Sequence, residues 1–198
     1  MSTRNIVLIA IVAIIVLLGG CAGCNYNSMN RLKQEVSESW SNVENQYKRR
    51  SDLIGNLVNT VKGAANFEQE TLTKVIEARS KATSLRVDPS DLSPEKLKEF
   101  QAAQGELSQA LGRLIMITEN YPELKANQNF LNLQTELTNT ENKIATERSR
   151  FNEKVKNYNT VISNFPNVIY SGLLGFKPRG YFEATETEKE TPKVDFSK

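Results

Sequence analysis

Residues 130–165, FLNLQTELTNTENKIATERSRFNEKVKNYNTVISNF, decide the fold of this chain. An aromatic or aliphatic residue recurs at every seventh position over this stretch: Phe130, Leu137, Ile144, Phe151, Tyr158 and Phe165. The second seam position of the successive heptads is held by Leu133 or Gln134, Glu141, Arg148, Val155 and Ile162. A period of seven predicts a long helix that packs on its neighbours in a left-handed, coiled-coil-like manner. Pro166 is expected to end this helix.

Three further helices are expected upstream, each with one apolar stripe. The first covers about Asn30–Ala64, and its stripe comprises Leu32, Val36, Trp40, Val43, Tyr47, Ile54, Leu57 and Val61. The second covers Phe67–Leu85. The third begins at Pro94, because Ser93 is a good N-cap and proline suits the first helical position, and it ends near Asn120. No long stretch alternates with the period of a strand, so the predicted fold class is all-α: an elongated, antiparallel, mostly four-helix bundle.

An uncharged segment precedes the bundle, since no charged residue lies between Arg4 and Arg31. As a helix, Ile6–Cys24 would rise roughly 28 Å, close to the hydrocarbon thickness of a bilayer. We therefore predict that this segment inserts into a membrane. Three interpretations are open. It is an uncleaved transmembrane helix that runs into the bundle, or a lipoprotein signal in which residues 18–21 (LGGC) lead to lipidation of Cys21, or an ordinary cleaved signal peptide.

These features divide the chain into a membrane anchor over residues 1–26, a helical bundle over residues 27–166 and a partly disordered C-terminal extension over residues 167–198. The expected location is a membrane, crossed once. Basic residues flank the anchor on both sides, and the positive-inside rule leans slightly toward a cytoplasmic bundle. The lipoprotein and signal-peptide interpretations place the bundle outside instead, so its side of the membrane stays open.

The C-terminal extension contains two kinds of sequence. Val168–Phe176 is apolar but not periodic, and it either docks back on the bundle or touches lipid. The tail from Ala184 is rich in Glu, Lys and Thr, a composition that predicts disorder.

The composition excludes several classes of function. The absence of histidine removes His-dependent nucleophilic triads, His-ligated zinc sites and histidine phosphorelay chemistry. Cys21 and Cys24 form a C-x-x-C pair, but neither a preceding strand nor further ligands accompany it, so we expect neither a redox site nor a metal site. The 25 basic and 23 acidic residues are interspersed, which argues against nucleic-acid binding. We expect no catalytic, cofactor-binding or metal-binding residue, no cofactor and no small-molecule substrate.

Three charged residues stand at or near seam positions that favour aliphatic side chains, namely Arg50, Glu141 and Arg148. An unpaired buried charge is strongly unfavourable. One hypothesis is therefore a structural ion pair or network between the first long helix and the last, with Arg50 and Glu141 as its principal members. The alternative is that helix rotation leaves these groups at the solvent boundary, with their stems covering apolar surface.

Two sets of motifs point to a known family. The first lies in the first helix and comprises Ser39–Ile54 (SWSNVENQYKRRSDLI), Asn56–Val58 and Val61–Gly63. The second comprises Tyr121–Ala126 (YPELKA), Asn129-Phe130, Leu133-Gln134, Glu136-Leu137, Thr140–Asn142, Ile144-Ala145, Arg148, Phe151-Asn152, Val155, Tyr158-Asn159, Phe165-Pro166, Gly175-Phe176 and Tyr181–Glu183. Over nearly its full length the chain resembles the LemA family of bacterial membrane proteins. The resemblance implies a membrane segment followed by a largely helical bundle, and no established enzyme activity or cofactor. Gly55 departs from the family, which often has proline there.

Two functions are expected from these observations. The first is a non-enzymatic, membrane-anchored scaffold or adaptor of the bacterial envelope that binds another envelope protein, or itself, through its helical faces. The second is a lipid-surface-binding or membrane-remodelling protein that acts through basic helix faces and Val168–Phe176. An enzymatic function is third, because no constellation of residues supports one.

Overall fold

The fold is described from a computed structural model that covers residues 3–63 and 68–183; of residues 3–24 it gives the helical backbone and, among the side chains, only Asn5 and Leu8. The helices are α1 (Thr3–Lys62), α2 (Gln69–Ser84), α3 (Pro94–Thr118), α4 (Pro122–Lys125), α5 (Gln128–Ser163) and α6 (Val168–Ser171). These ranges contain no strand, so the all-α prediction is confirmed. The tail from Ala184 lies outside the described residues.

Helices α1 and α5 pack side by side as one long antiparallel pair, although α2, α3 and α4 lie between them in the sequence. Ion pairs join them at two heights: Lys154 Nζ lies 3.0 Å from Glu35 Oε2, and Arg49 Nη2 lies 2.8 Å from Glu136 Oε2. As the residue number rises in one helix it falls in the other, so the two run in opposite directions. We call the end where α5 finishes, near Met29 of α1, the proximal end, and the end near Lys62 the distal end.

Helices α2 and α3 form a shorter antiparallel hairpin against the distal part of α1. Lys81 Nζ of α2 lies 2.7 Å from Glu106 Oε2 of α3. The loop that joins them reaches down to Ser37, whose hydroxyl donates to the Pro89 carbonyl oxygen at 3.3 Å. The 25 residues of α3 rise about 37 Å, as far as α1 rises from Ser37 to its end. The four longer helices therefore pack together only in the distal part of the molecule.

The core has two parts. The proximal part is aromatic: the Trp40 ring packs on Phe100, Phe151 and Phe182 with centroid distances of 5.2, 5.7 and 6.0 Å. The distal part is mostly aliphatic and comprises Ile54, Leu57, Val58, Val61, Leu72, Val75, Ala82, Leu107, Leu111, Leu114, Leu124, Phe130 and Leu137. The predicted stripes of α1 and α5 line both parts, which explains why two long helices stay together over their whole shared length.

The heptad pattern predicts the buried face of α5 correctly except at its last position. Phe130, Leu137, Ile144, Phe151 and Tyr158 are buried, but Phe165 is 81% exposed. The helix ends at Ser163, so Phe165 lies beyond the last helical turn and no longer follows the helical period. Its predicted place in the seam was wrong.

The helix ends follow local chemistry. Ser93 caps α3, because its hydroxyl accepts from the Lys96 backbone N–H at 3.5 Å, as expected from its position before Pro94. Asn127 caps α5, and its side chain accepts from the backbone N–H groups of Asn129 and Phe130. The single turn α4, which begins at Pro122, was not predicted.

The N-terminal segment is continuous with the bundle, since α1 is one helix from Thr3 to Lys62. Within the part of the chain that the structure describes, no helix has both the length and the apolarity that a membrane crossing requires. The side chain of Cys21 and those of most of the predicted anchor lie outside the described residues. The anchor and the lipidation of Cys21 therefore stay predictions.

Candidate functional site

A buried arginine occupies the middle of the bundle. The Arg50 side chain is 3% exposed, and its Nη1 donates to Glu141 Oε1 at 2.9 Å and to Ser108 Oγ at 3.1 Å. Its Nη2 donates to the Gln104 side-chain oxygen and to the Gln104 backbone carbonyl. The guanidinium carbon also lies 5.0 Å from the centre of the Tyr47 ring, a favourable position for a cation.

This polar cluster ties all four longer helices together. Arg50 belongs to α1, Gln104 and Ser108 to α3, and Glu141 to α5. The Gln104 amide nitrogen donates to the Ala82 carbonyl of α2 at 3.3 Å. A planar guanidinium bonded from several directions fixes the axial register of α1, α3 and α5, because sliding any of these three helices would break a charge-assisted bond. Sliding α2 would break the bond between the Gln104 amide and the Ala82 carbonyl.

The three charged seam residues are not in one place. Arg50 and Glu141 are in contact, whereas Arg148 lies two turns further along α5, toward the proximal end. There its Nη2 donates to the Glu183 carbonyl oxygen at 2.9 Å, and its guanidinium carbon lies 5.1 Å from the centre of the Phe182 ring. Arg148 thus contacts the C-terminal extension.

The extension crosses the proximal part of the bundle as an extended segment, residues 177–183, which we call the strap. Side-chain amides bind the backbone of the strap, and each amide contacts both the N–H and the C=O of one strap residue. Asn159 Nδ2 donates to the Arg179 carbonyl, and the Arg179 N–H donates to Asn159 Oδ1, both at 2.9 Å. Asn152 makes the same pair of bonds with Phe182 at 2.8 and 2.9 Å. Gln101 of α3 binds Glu183 in the same way at 2.5 and 3.4 Å.

The spacing of these amides matches the two backbones. Asn152 and Asn159 are seven residues apart on a helix, a rise of about 10.5 Å. Arg179 and Phe182 are three residues apart in extended chain, which spans about 10 Å. The two asparagines therefore hold the strap in register, antiparallel to α5.

The strap also closes tightly on the start of α3. A Cβ atom at Gly180 would lie 2.7 Å from the Pro94 Cα, so only glycine fits without a shift of backbone. The Gly180 N–H donates to the Leu92 carbonyl at 2.9 Å. Phe182 is buried against Trp40 and Phe151, and the Tyr158 hydroxyl donates to the Lys177 carbonyl at 3.0 Å. Burial raises the pKa of the Tyr158 phenol above its ordinary value.

The hydrophobic period does not predict the strap. Its signals in the sequence are the motif Tyr181–Glu183 and the pair of asparagines that lie one heptad apart beside the seam residues Phe151 and Tyr158. Asparagine on a helix surface is ordinarily read as solvated. In the distal part of the molecule, α2 and α3 flank the antiparallel pair of α1 and α5, and in the proximal part the strap covers this pair.

The proximal end carries exposed apolar side chains just before the strap. Phe165, Val168, Ile169, Leu173 and Leu174 are 45–89% exposed, and Leu173 is the most exposed. We call these five residues the apolar end. Phe176, which follows them, turns back into the core and packs on Tyr26 of α1 with a centroid distance of 5.6 Å.

Several cavities open on the faces of the described helices. One of about 540 Å³ lies between α1, α2 and α3 and has a mixed wall that includes Lys48, Arg79, Arg86, Glu44 and Asp52. Another, of about 430 Å³, is lined by polar residues of α1 and α5, among them Arg49 and Glu136. A smaller one, of about 270 Å³, lies on the outer side of α2 and α3 near the distal end. Among the side chains that the structure describes, no group of carboxylates is arranged to hold a metal ion.

Comparisons with known proteins give the chain its relatives. It is 27% identical over 189 residues to the magnetosome protein MamQ of Magnetospirillum gryphiswaldense, a match that covers 85% of this chain and 70% of that protein. It is 26% identical, with the same coverage, to magnetosome protein MamQ 2 of Paramagnetospirillum magneticum. It is 30% identical over 145 residues to protein LemA of Metamycoplasma hominis, covering 73% of this chain and 59% of that protein. A model described as the LemA family matches residues 39–196. The chain belongs to the LemA family.

Proposed function

We propose that this protein is a non-enzymatic, membrane-tethered scaffold or adaptor of the bacterial envelope. The observation that carries the proposal is the continuity of α1, a single helix of 60 residues that contains both the uncharged N-terminal segment and the residues that line the core. A tether that continues into the bundle as one helix holds the bundle in a defined orientation on the membrane. Membership of the LemA family and the apolar composition of residues 6–18 support the tether.

The same continuity presents the distal end far from the tether. From residue 25 to Lys62 the helix rises about 57 Å. At that distance the outer side of α2 and α3 offers the shallow cavity, in which Met116 is 70% exposed beside Lys74, Glu106 and Arg113. An exposed apolar side chain with charged neighbours is the composition expected of a transient protein contact. The partner in this proposal is another envelope protein or a second copy of the chain.

The experiment places a photo-activated crosslinking amino acid at Met116 in the full-length chain and irradiates intact cells. Asn132 of α5 is the matched control, because it is exposed at a similar height on a different helix. A discrete adduct formed from position 116 and not from position 132 is expected. An adduct of twice the chain's mass identifies self-association. The absence of any adduct, or the same adducts from both positions, would contradict the scaffold.

The second candidate is a lipid-surface-binding or membrane-remodelling protein, and the exposed apolar end favours it. Remodelling predicts that the full-length chain changes the shape of vesicles, which electron microscopy detects. The scaffold predicts vesicles of unchanged shape.

A further inference from the structure

We propose that the apolar end rests in the interface of the same membrane that holds the N-terminal segment, with its side chains in the boundary between headgroups and acyl chains. The proposal rests on the tether of the proposed function and adds a second membrane contact to it. A lipid surface is the partner to which we commit.

The first argument is the distribution of charge. Between Lys156 and Lys177 the chain has no charged residue, and the same is true between Arg4 and Arg31. The charges that border these two segments are all basic. Uncharged apolar segments with basic borders fit an interface with anionic headgroups.

The second argument is position. Extending the antiparallel register of α1 and α5 places Phe165 level with the first residues after Cys24, where the uncharged segment enters the bundle. The contact between Tyr26 and Phe176 confirms that the two chain segments meet at this height. A bilayer that holds residues 6–24 therefore has its surface beside the apolar end.

The third argument is the backbone of the turn. Seven of its backbone N–H groups are bonded within the turn; those of Val168, Leu174 and Phe176, for example, donate to the carbonyls of Asn164, Tyr170 and Ser171 at 3.0, 3.0 and 2.9 Å. The Asn167 amide nitrogen donates to the Val161 carbonyl at 2.9 Å, and its oxygen accepts from the Tyr170 hydroxyl. A turn that satisfies its own polar groups tolerates a region poor in water, whereas one that depends on solvent does not.

The test uses the full-length chain in vesicles that contain anionic lipid, with both native cysteines replaced by alanine. An environment-sensitive fluorophore is attached at Leu173→Cys, and Met116→Cys is the control. Both side chains are strongly exposed, so neither substitution removes a core contact. Circular dichroism checks that both variants are folded, and Ile169→Cys provides a second reporter in the apolar end.

At position 173 we expect several-fold stronger quenching by a spin-labelled lipid than by aqueous iodide, and the reverse at position 116. If the chain floats with the vesicles but iodide quenches position 173 as readily as position 116, the apolar end does not touch lipid and the inference is overturned while the tether stands. If the chain does not float with the vesicles, the tether fails and the inference fails with it.

Discussion

Arg50 shows how one residue can determine the register of a helical bundle. A buried guanidinium is tolerated only where several acceptors surround it, and here they come from two other helices. Glu141 is the charged member of this set, and its side chain is 44% exposed, so water reaches one side of the pair. The Coulomb attraction between Arg50 and Glu141 is therefore weaker than in a fully buried pair and stronger than in a pair at the surface.

Replacing Glu141 with alanine should lower the free energy of unfolding by about 1–2 kcal/mol, because Arg50 stays buried with one acceptor fewer. Glu136→Ala is the matched control. Glu136 pairs with Arg49 at a similar distance, both side chains are about half exposed, and the expected loss is about 0–1 kcal/mol. Chemical denaturation measures both values. Equal losses in the two variants would mean that Arg50 is not held by a buried pair.

Tyr158 gives the fold a dependence on high pH. Burial raises the pKa of its phenol in the folded state, so folding favours the neutral form. Its contribution to stability is therefore complete below the unfolded pKa of about 10 and is lost as the pH rises through the higher folded pKa. Thermal unfolding at a series of alkaline pH values should be less steeply pH-dependent in Tyr158→Phe than in the natural chain. Identical profiles would contradict this assignment.

Some members of the polar cluster around Arg50 could be predicted from the sequence, and others could not. A charge at a seam position is visible in a heptad pattern, so Arg50 and Glu141 stand out. Gln104 and Ser108 do not, because their part in the cluster depends on how α3 is rotated against α1, and that rotation is set by packing across the whole bundle. Arg148 stands out for the same reason as Arg50, but its contacts include a strap that the pattern does not contain.

At the scale of elements, the strap is held by side chains that imitate a neighbouring strand. Each of the three amides accepts from an N–H and donates to a C=O of one residue, which replaces the hydrogen bonds that an extended chain would otherwise make with water. Such a segment needs no periodic pattern of its own. This is why the hydrophobic period predicted α1, α2, α3 and α5 but not the strap.

Removing the amides should release the strap while the helices remain. Asn152→Ala deletes two hydrogen bonds to the strap, and Asn159→Ala deletes three, the third being to the Tyr181 hydroxyl. We expect each substitution to lower stability by about 1–3 kcal/mol. Hydrogen exchange at residues 179–183 should accelerate in both. Asn142→Ala, at an exposed position of the same helix, should leave exchange in the strap unchanged. Protection of the strap that survives both substitutions would show that the amides do not hold it.

Gly180 tests the close contact between the strap and α3. Gly180→Ala should be destabilising by about 1–3 kcal/mol, because its Cβ would collide with the Pro94 backbone. Gly172→Ala is the control. Gly172 has a helical backbone with φ −62°, and a Cβ there meets no atom within 4 Å. It should be neutral or slightly stabilising. Thermal unfolding compares the two, and a neutral Gly180→Ala would mean that the strap can move aside.

At the scale of the whole molecule, the described chain is built on an antiparallel pair of long helices, α1 and α5. Helices α2 and α3 cover this pair in its distal part, and the strap covers it in its proximal part. The order of the helices and their antiparallel packing follow from the stripes and the turn signals. The unequal coverage does not, because it depends on how far α2 and α3 reach along α1. The sequence thus predicted the class of fold and most of the buried face, but not the division of the bundle into two parts.

The tether is tested by adding charge to it. The double substitution Ile11→Asp and Ile15→Asp should release the full-length chain from membranes in alkaline carbonate. Each aspartate near the centre of a membrane helix makes the free energy of insertion less favourable by about 2.5–3.5 kcal/mol. Asp at Ile76 and Leu131, which are about 40% exposed on the bundle, is the control and should leave the chain with the membrane. Extraction of the natural chain by carbonate alone would refute the tether.

The unbroken α1 has a mechanical consequence. If the proposed tether holds the first part of α1 in a bilayer, any inclination of that part is carried to the far tip. An inclination of about 20°, the average for membrane helices, applied to an arm of about 57 Å swings the tip sideways by about 20 Å. That is about twice the width of a helix. Changes in bilayer thickness, which alter helix inclination, would therefore be amplified into a displacement large enough to bring a docked protein within reach of a neighbour or take it away.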